Sequence, residues 1–223
     1  MLNSLKSLKE LVFTKVCIAC AAPEFWLCPT CLLPWNISVK KNCIGGKPIY
    51  FKCDYTSKTA SVILAAKESN DLNAIALLAS SISQSIIFSI SDLGLSGVIT
   101  LITIPSSPSA IRRRGRDHIK TLAESVQKDL QQKSITAYYA PILFQKKSIR
   151  DQSQLNSQQR MQNTKGKFVV KSCEIPQGAV YLIDDLLTTG ASILEGVRAL
   201  SEAKITIAAG VTACAVGRIS LIP

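Results

Sequence analysis

The 223-residue sequence has no uninterrupted apolar run long enough to span a bilayer. Its most apolar stretch, residues 72–90, is broken by Asn73, Ser80, Ser81, Ser83, Gln84, Ser85 and Ser89. It therefore reads as a half-buried helix and not as a membrane span. A signal-peptide pattern is missing too. The opening MLNSLKSLKELVF spaces Leu2, Leu5, Leu8 and Leu11 at helical intervals between lysines, with no small-residue cleavage site, which predicts a surface helix. Together these absences predict a soluble, cytoplasmic chain with no transmembrane segment. There is no internal repeat and no low-complexity tract, so ordinary α/β texture remains. Histidine occurs once, at His118. With nothing nearby in sequence to orient it as an acid–base group, it reads as a helix-surface residue or hydrogen-bond donor and not as a catalytic base. Acidic residues are scarce, 15 against 26 Lys and Arg, for a formal charge of +11. Most of the excess lies in residues 105–172, with 14 basic against 4 acidic side chains. Such a field favours phosphate-rich small molecules or nucleic acid, and it serves equally as a solvated basic face.

What is present divides the chain in two. The length suits one α/β domain with a small appendage, and the change of texture near Tyr55 predicts a head over residues 1–54 and an α/β domain over 55–223. Four of the eight cysteines form two close pairs, Cys17-x2-Cys20 and Cys28-x2-Cys31. Two such knuckles can place four thiolates tetrahedrally around a structural Zn2+; redox pairs are the alternative, but neither pair lies at a strand-to-helix junction. Cys43 and Cys53 stay open, and Cys173 and Cys214 read as core thiols. Beyond residue 55, helices are predicted over 60–66, 72–90, 117–130 and 191–202, and strands over 97–105, 179–183 and 205–216, with a β-rich run at 135–144. Strands alternating with helices predict a mainly parallel sheet flanked by helices, with ligand loops at the strands' carboxyl ends. Residues 145–167 are polar and long for a connection, which suggests a functional loop.

The segment VYLIDDLLTTGAS, residues 180–192, carries the most chemistry. A buried strand ends in two carboxylates, Asp184 and Asp185, and Leu187 leads into Thr188, Thr189, Gly190, Ala191 and Ser192, which turn into a helix. A turn of small hydroxyl residues and glycine at a helix start exposes backbone N–H groups and makes a phosphate cradle. Carboxylates just before it would repel phosphate unless they accept from a sugar diol or help hold Mg2+. A ribose 5-phosphate meets both demands. An ordinary capped βα turn accounts for one capping residue but not for this ordered set.

This segment resembles the phosphoribosyl-pyrophosphate (PRPP) signature of type I phosphoribosyltransferases. The resemblance implies that Asp184 and Asp185 contact the ribose hydroxyls and that Leu187, Thr188, Thr189, Gly190, Ala191 and Ser192 bind the 5-phosphate. Over nearly the whole chain the order of features is similar to that of the ComF family. A four-cysteine head comes first, then the basic segment RRRGRDHIKTLA, then Gln152, Leu155, Arg160, Asn163 and Phe168 at the family's spacing, then the PRPP motif. Members usually show a glycine, an aromatic residue and an asparagine in the basic segment, where this chain has Gly115, Arg116 and Asp117. A second cysteine pair common in the family is reduced here to Cys43, with Gly46 in its mate's place.

What the resemblance implies is a phosphoribosyltransferase-like fold that binds PRPP with Mg2+, either transferring phosphoribosyl to an acceptor or retaining the fold without turnover. Residues 106–115 fall where such transferases bind pyrophosphate. Arg114 and its two neighbours can there neutralise a departing pyrophosphate, with Gly115 conformational. Arg150 joins Asp184 and Asp185 as a candidate catalytic residue, and Gln152 and Arg160 are candidate lid residues over the phosphates. Lys67 can reach a phosphate or sit as a solvated helix-end lysine. No segment reads as a nucleobase pocket. ComF resemblance also implies a part in DNA uptake, in which the arginines contact single-stranded DNA and Phe25, Trp26 and Trp35 either stack bases or form the head's core.

Overall fold

A strand whose two faces are both apolar needs cover on both sides, and the run 179–187 has that character. In the computed structural model, which describes residues 15–146, 166–171 and 176–217, it forms an interior strand of a six-stranded sheet. In chain order the elements are the short helix α1 (Pro29–Leu32), β1 (Lys40–Ile44), β2 (Lys47–Asp54), α2 (Ser57–Leu64), α3 (Leu72–Asp92), β3 (Ile99–Thr103), α4 (Pro108–Arg114), α5 (His118–Gln132), β4 (Ala137–Tyr139), β5 (Leu143–Gln145), β6 (Phe168–Val170), β7 (Ala179–Leu187), α6 (Ala191–Glu202) and β8 (Ala209–Ala215). The sheet order is β1-β2-β8-β7-β3-β4, parallel throughout except for the β1–β2 hairpin. β5 and β6 make a separate antiparallel pair. The mainly parallel sheet expected from the alternation is therefore present.

Two apolar layers cover the sheet. On one face Tyr181, Ile183, Val211 and Leu101 pack with Leu78, Ile82 and Ile86 of α3 and Leu122 and Val126 of α5. On the other, Val180, Leu182 and Ile102 pack with Ile193, Ala199 and Leu200 of α6 and with Leu143 and Phe168 of the small hairpin. α3 is long and apolar enough to cross a membrane, yet 56% of its apolar window is buried within the protein. Its serines are accommodated locally: Ser81 and Ser85 donate to carbonyls one turn back, and Ser89 also donates to the Tyr181 hydroxyl.

Several boundaries differ from the sequence reading. Residues 40–54, grouped there with the head, form β1 and β2, and β2 pairs in parallel with β8. β2 alternates poorly because both its faces are covered, so Ile49, Tyr50, Phe51 and Cys53 are all buried. Residues 106–115, placed above at the pyrophosphate-binding position, contain α4. Ser107 accepts from the Ala110 N–H at 3.2 Å, Pro108 takes the first turn, and Gly115 ends the helix at φ 68°. The predicted N-terminal surface helix and Cys173 lie outside the described residues.

Candidate functional site

The chain runs from β3 through α4 and α5 to β4 on one side, and from β7 through α6 to β8 on the other. The connections leaving β3 and β7 thus diverge, which opens a crevice at the carboxyl ends of these two neighbouring strands. A cleft of about 330 Å3 lies there, lined by residues of both strand ends together with Lys67, Arg114 and His118.

Asp184 and Asp185 are consecutive in β7, so they leave the strand on opposite sides. Asp185 continues the row of Tyr181 and Ile183 toward α3 and α5. Its buried Oδ2 accepts from Lys67 Nζ at 3.1 Å and from His118 Nε2 at 3.2 Å. Arg114 Nη1, which can only donate, lies 3.3 Å from His118 Nδ1, so Nδ1 accepts and Nε2 carries the proton given to Asp185. Burial alone would raise the Asp185 pKa, but the His118 hydrogen bond and the Lys67 charge outweigh it and hold it well below the usual carboxylate range. Asp184 continues the other row, is half-buried, and accepts from the Asp185 N–H at 2.9 Å. Burial and the neighbouring Asp185 charge push its pKa up. One carboxylate is thus committed to protein cations, while the other stands beside the cleft with no paired cation among the described residues. A Mg2+ site built from one carboxylate and ligand oxygens suits such a donor.

Of the other residues expected at the site, Thr188 lines the cleft. Thr189, Gly190, Ala191 and Ser192 lead from it into α6, with Gly190 at φ 78° and the Thr189 hydroxyl accepting from the Ala191 N–H at 3.4 Å. Leu187 is buried in the core. Arg114 is turned inward and paired with Glu68 at 2.9 Å, whereas Arg113 is exposed and 3.5 Å from the same carboxylate. Arg150, Gln152 and Arg160 lie outside the described residues.

Two expectations left alternatives, and the structure chooses between them. His118 is the hydrogen-bond donor and not the surface residue: it is buried against Asp185 because the first turn of α5 abuts the end of β7. Lys67, partly exposed in the π-turn Ala65–Ser69 that follows α2, is carried to the cleft and paired with Asp185 instead of standing free in solvent. Neither position has a local signal. The α4 segment does, in its order of Ser107, Pro108 and Gly115.

In the head, Cys17, Cys20, Cys28 and Cys31 come together with all four sulfurs within 4.8 Å of one another. Cys20 and Cys28 sulfurs are 3.6 Å apart, close to the roughly 3.8 Å edge of a tetrahedron with Zn–S bonds of about 2.3 Å. The Cys28 N–H donates to Cys17 sulfur at 3.4 Å. Burial would raise the Cys17 thiol, but this and neighbouring backbone N–H groups lower it to about 6. The cluster can hold a metal such as zinc. Cys43 is exposed on β1, and Cys53 is buried with its thiol donating to the Pro34 carbonyl at 3.0 Å. Trp35 is a core residue, and Trp26 donates to Asp71 at the start of α3, tying the head to that helix.

No family model and no curated protein matches the chain. Among solved structures it is similar to adenine phosphoribosyltransferase from Trypanosoma brucei, determined in complex with AMP, pyrophosphate and ribose-5-phosphate. The TM-score is 0.41 at 9% identity, covering 84% of this chain and 94% of that chain.

Proposed function

We propose that this chain is a ComF-family, phosphoribosyltransferase-like protein that binds PRPP with Mg2+ in the cleft between β3 and β7, and that its head carries a structural Zn2+. One observation carries the reading of the cleft. Two carboxylates in different electrostatic states, three basic side chains and a hydroxyl-rich turn converge on one crevice from three separate parts of the chain. Its volume suits a small phosphorylated sugar.

Each residue then has a task. Asp184 accepts from the ribose diol or helps hold Mg2+, which would neutralise charge on the pyrophosphate oxygens. Thr188 and the start of α6 offer donors to the 5-phosphate. Lys67 and Arg114 face the ligand's remaining negative charge, and Asp185 holds Lys67 and His118 in register. A transferase on this cleft passes the phosphoribosyl group to a nucleophile entering opposite the departing pyrophosphate, and its rate comes from positioning and charge stabilisation. The DNA-uptake reading keeps less support, since Arg114 is turned into the cleft and Trp35 is buried, leaving Arg112 and Arg113 on the surface.

Calorimetric titration with PRPP and Mg2+ tests the proposal. Saturable binding is expected, weakened in Asp184→Ala and Thr188→Ala by about tenfold or more, as for lost hydrogen bonds to a charged ligand. Equal affinity in both folded variants sinks it.

A further inference from the structure

Arg116, which follows the glycine closing α4, takes no part in the cleft's lining. Its Nη2 donates to two consecutive main-chain carbonyls, Ala66 at 2.9 Å and Lys67 at 3.0 Å. Its Nη1 is buried with no partner among the described residues. A guanidinium spent in this way grips backbone. The two carbonyls belong to the π-turn Ala65–Ser69, whose wide spacing frees them from the regular helical ladder. On the same turn Glu68 is held by Arg114, and Asn70 closes it in the left-handed region at φ 55°. Lys67 leaves the turn between these ties and reaches Asp185 at 3.1 Å. Because Arg116 and Lys67 carry like charges, their direct interaction is repulsive, and any help Arg116 gives passes through the carbonyls.

We propose that Arg116 is a positioning residue: by bridging the Ala66 and Lys67 carbonyls it fixes the π-turn so that the Lys67 ammonium stands against Asp185 at the mouth of the cleft. The inference deepens the ligand reading above and rests on it for its effect on binding, though not for its effect on Lys67.

Competitive acetylation of the full-length protein, read by peptide mass spectrometry, reports on Lys67 without any ligand. Exposed Lys58 is the fast reference, and Lys52, buried and donating to Gln84, is the control for an intact fold. Arg116→Ala and Arg116→Lys should each raise the Lys67 rate toward that of Lys58, by about tenfold, as expected for loss of a charge-assisted hydrogen bond, while Lys52 stays protected. The lysine variant keeps the charge but not the two-carbonyl fork, so its agreement with the alanine variant excludes a simple change of field. An unchanged Lys67 rate in either variant with Lys52 protected overturns the proposal. In PRPP titrations, Arg116→Ala combined with Lys67→Met should lose no more affinity than Lys67→Met alone, and additive losses overturn action through Lys67. A wild-type protein that binds no PRPP removes the ligand reading, while the acetylation rates still judge Arg116.

Discussion

The cysteine head and the carboxylate cleft are built on opposite plans. The head draws four like ligands from Cys17, Cys20, Cys28 and Cys31, close neighbours in sequence. The cleft draws unlike groups from far apart, with Lys67 and Asp185 separated by 118 positions. Four thiolates have no counter-charge of their own, so in the zinc reading proposed above the head's geometry depends on the metal. In the cleft Lys67, Asp185, His118, Arg114 and Glu68 compensate one another, so its geometry follows from the fold, and Asp184 has no paired cation among the described residues. A site that needs its ligand to fold and a site that needs folding to receive its ligand respond differently to the same insult.

The largest effect should come from breaking the head. About one equivalent of zinc per chain is expected, and Cys31→Ser or a strong chelator should unfold residues 15–35, since structural zinc contributes roughly 10–16 kcal/mol in isolated finger peptides. A metal-free protein with four freely titrating thiols and an unchanged melting curve would remove the comparison's first half.

Next comes the cleft's internal compensation. Asp185→Ala leaves Lys67 and His118 without their shared acceptor and should destabilise the protein by about 3 kcal/mol, the lower end for a broken buried pair because Lys67 is partly solvated. Asp185 has a depressed pKa in the folded state, so its contribution is fully present above the ordinary carboxylate range, declines from there, and is lost as pH falls through the lower folded-state pKa. Denaturant melts between neutral and acid pH should therefore converge for wild type and variant. Melts that stay equally far apart down to strong acid would contradict this assignment.

Asp184 should show the opposite sign. Its folded-state pKa is raised, so ionisation at neutral pH costs stability. Asp184→Asn should therefore raise Tm, by about 2–4 °C per kcal/mol in a chain of this size, while weakening PRPP binding. A lowered Tm would mean that Asp184 is a structural acid, like its neighbour.

The smallest effect separates phosphate ligand from polymer. Arg112→Ala with Arg113→Ala should leave PRPP affinity nearly intact and lower any salt slope of single-stranded DNA binding by about 0.7 per lost phosphate contact. Arg114→Ala should do the reverse. A protein with no DNA binding at low salt leaves the basic surface to solubility.

The same contrast explains what was legible in the sequence. The two cysteine pairs and the 180–192 motif are local, so spacing alone exposes them. The parallel sheet, α3 and α6 follow from periodicity, and α6 spans the expected 191–202. His118 and Lys67 could each be named in the sequence but not joined, because their common partner is a strand end that meets them only in three dimensions. Nothing in AAKES announces a π-turn, and β2 lacked the alternation of a half-exposed strand because apolar layers cover both of its faces. Pairing of the two aspartates as equal partners was the natural linear reading. Strand periodicity, applied to two adjacent residues, separates them.

Gly196 lies in the middle of α6, where glycine costs a helix about 1 kcal/mol relative to alanine. A Cβ there would stand 2.8 Å from Ile104 Cδ1 and 2.8 Å from Leu182 Cδ2. Ile104 is also a wall of the cleft. In evolutionary terms the two positions are linked traits: a larger residue at 196 calls for a smaller one at 104, and that exchange would widen the cavity from behind. Among divergent homologues, covariation between these two sites would then track changes in the size of the guest, even though one of them never touches it.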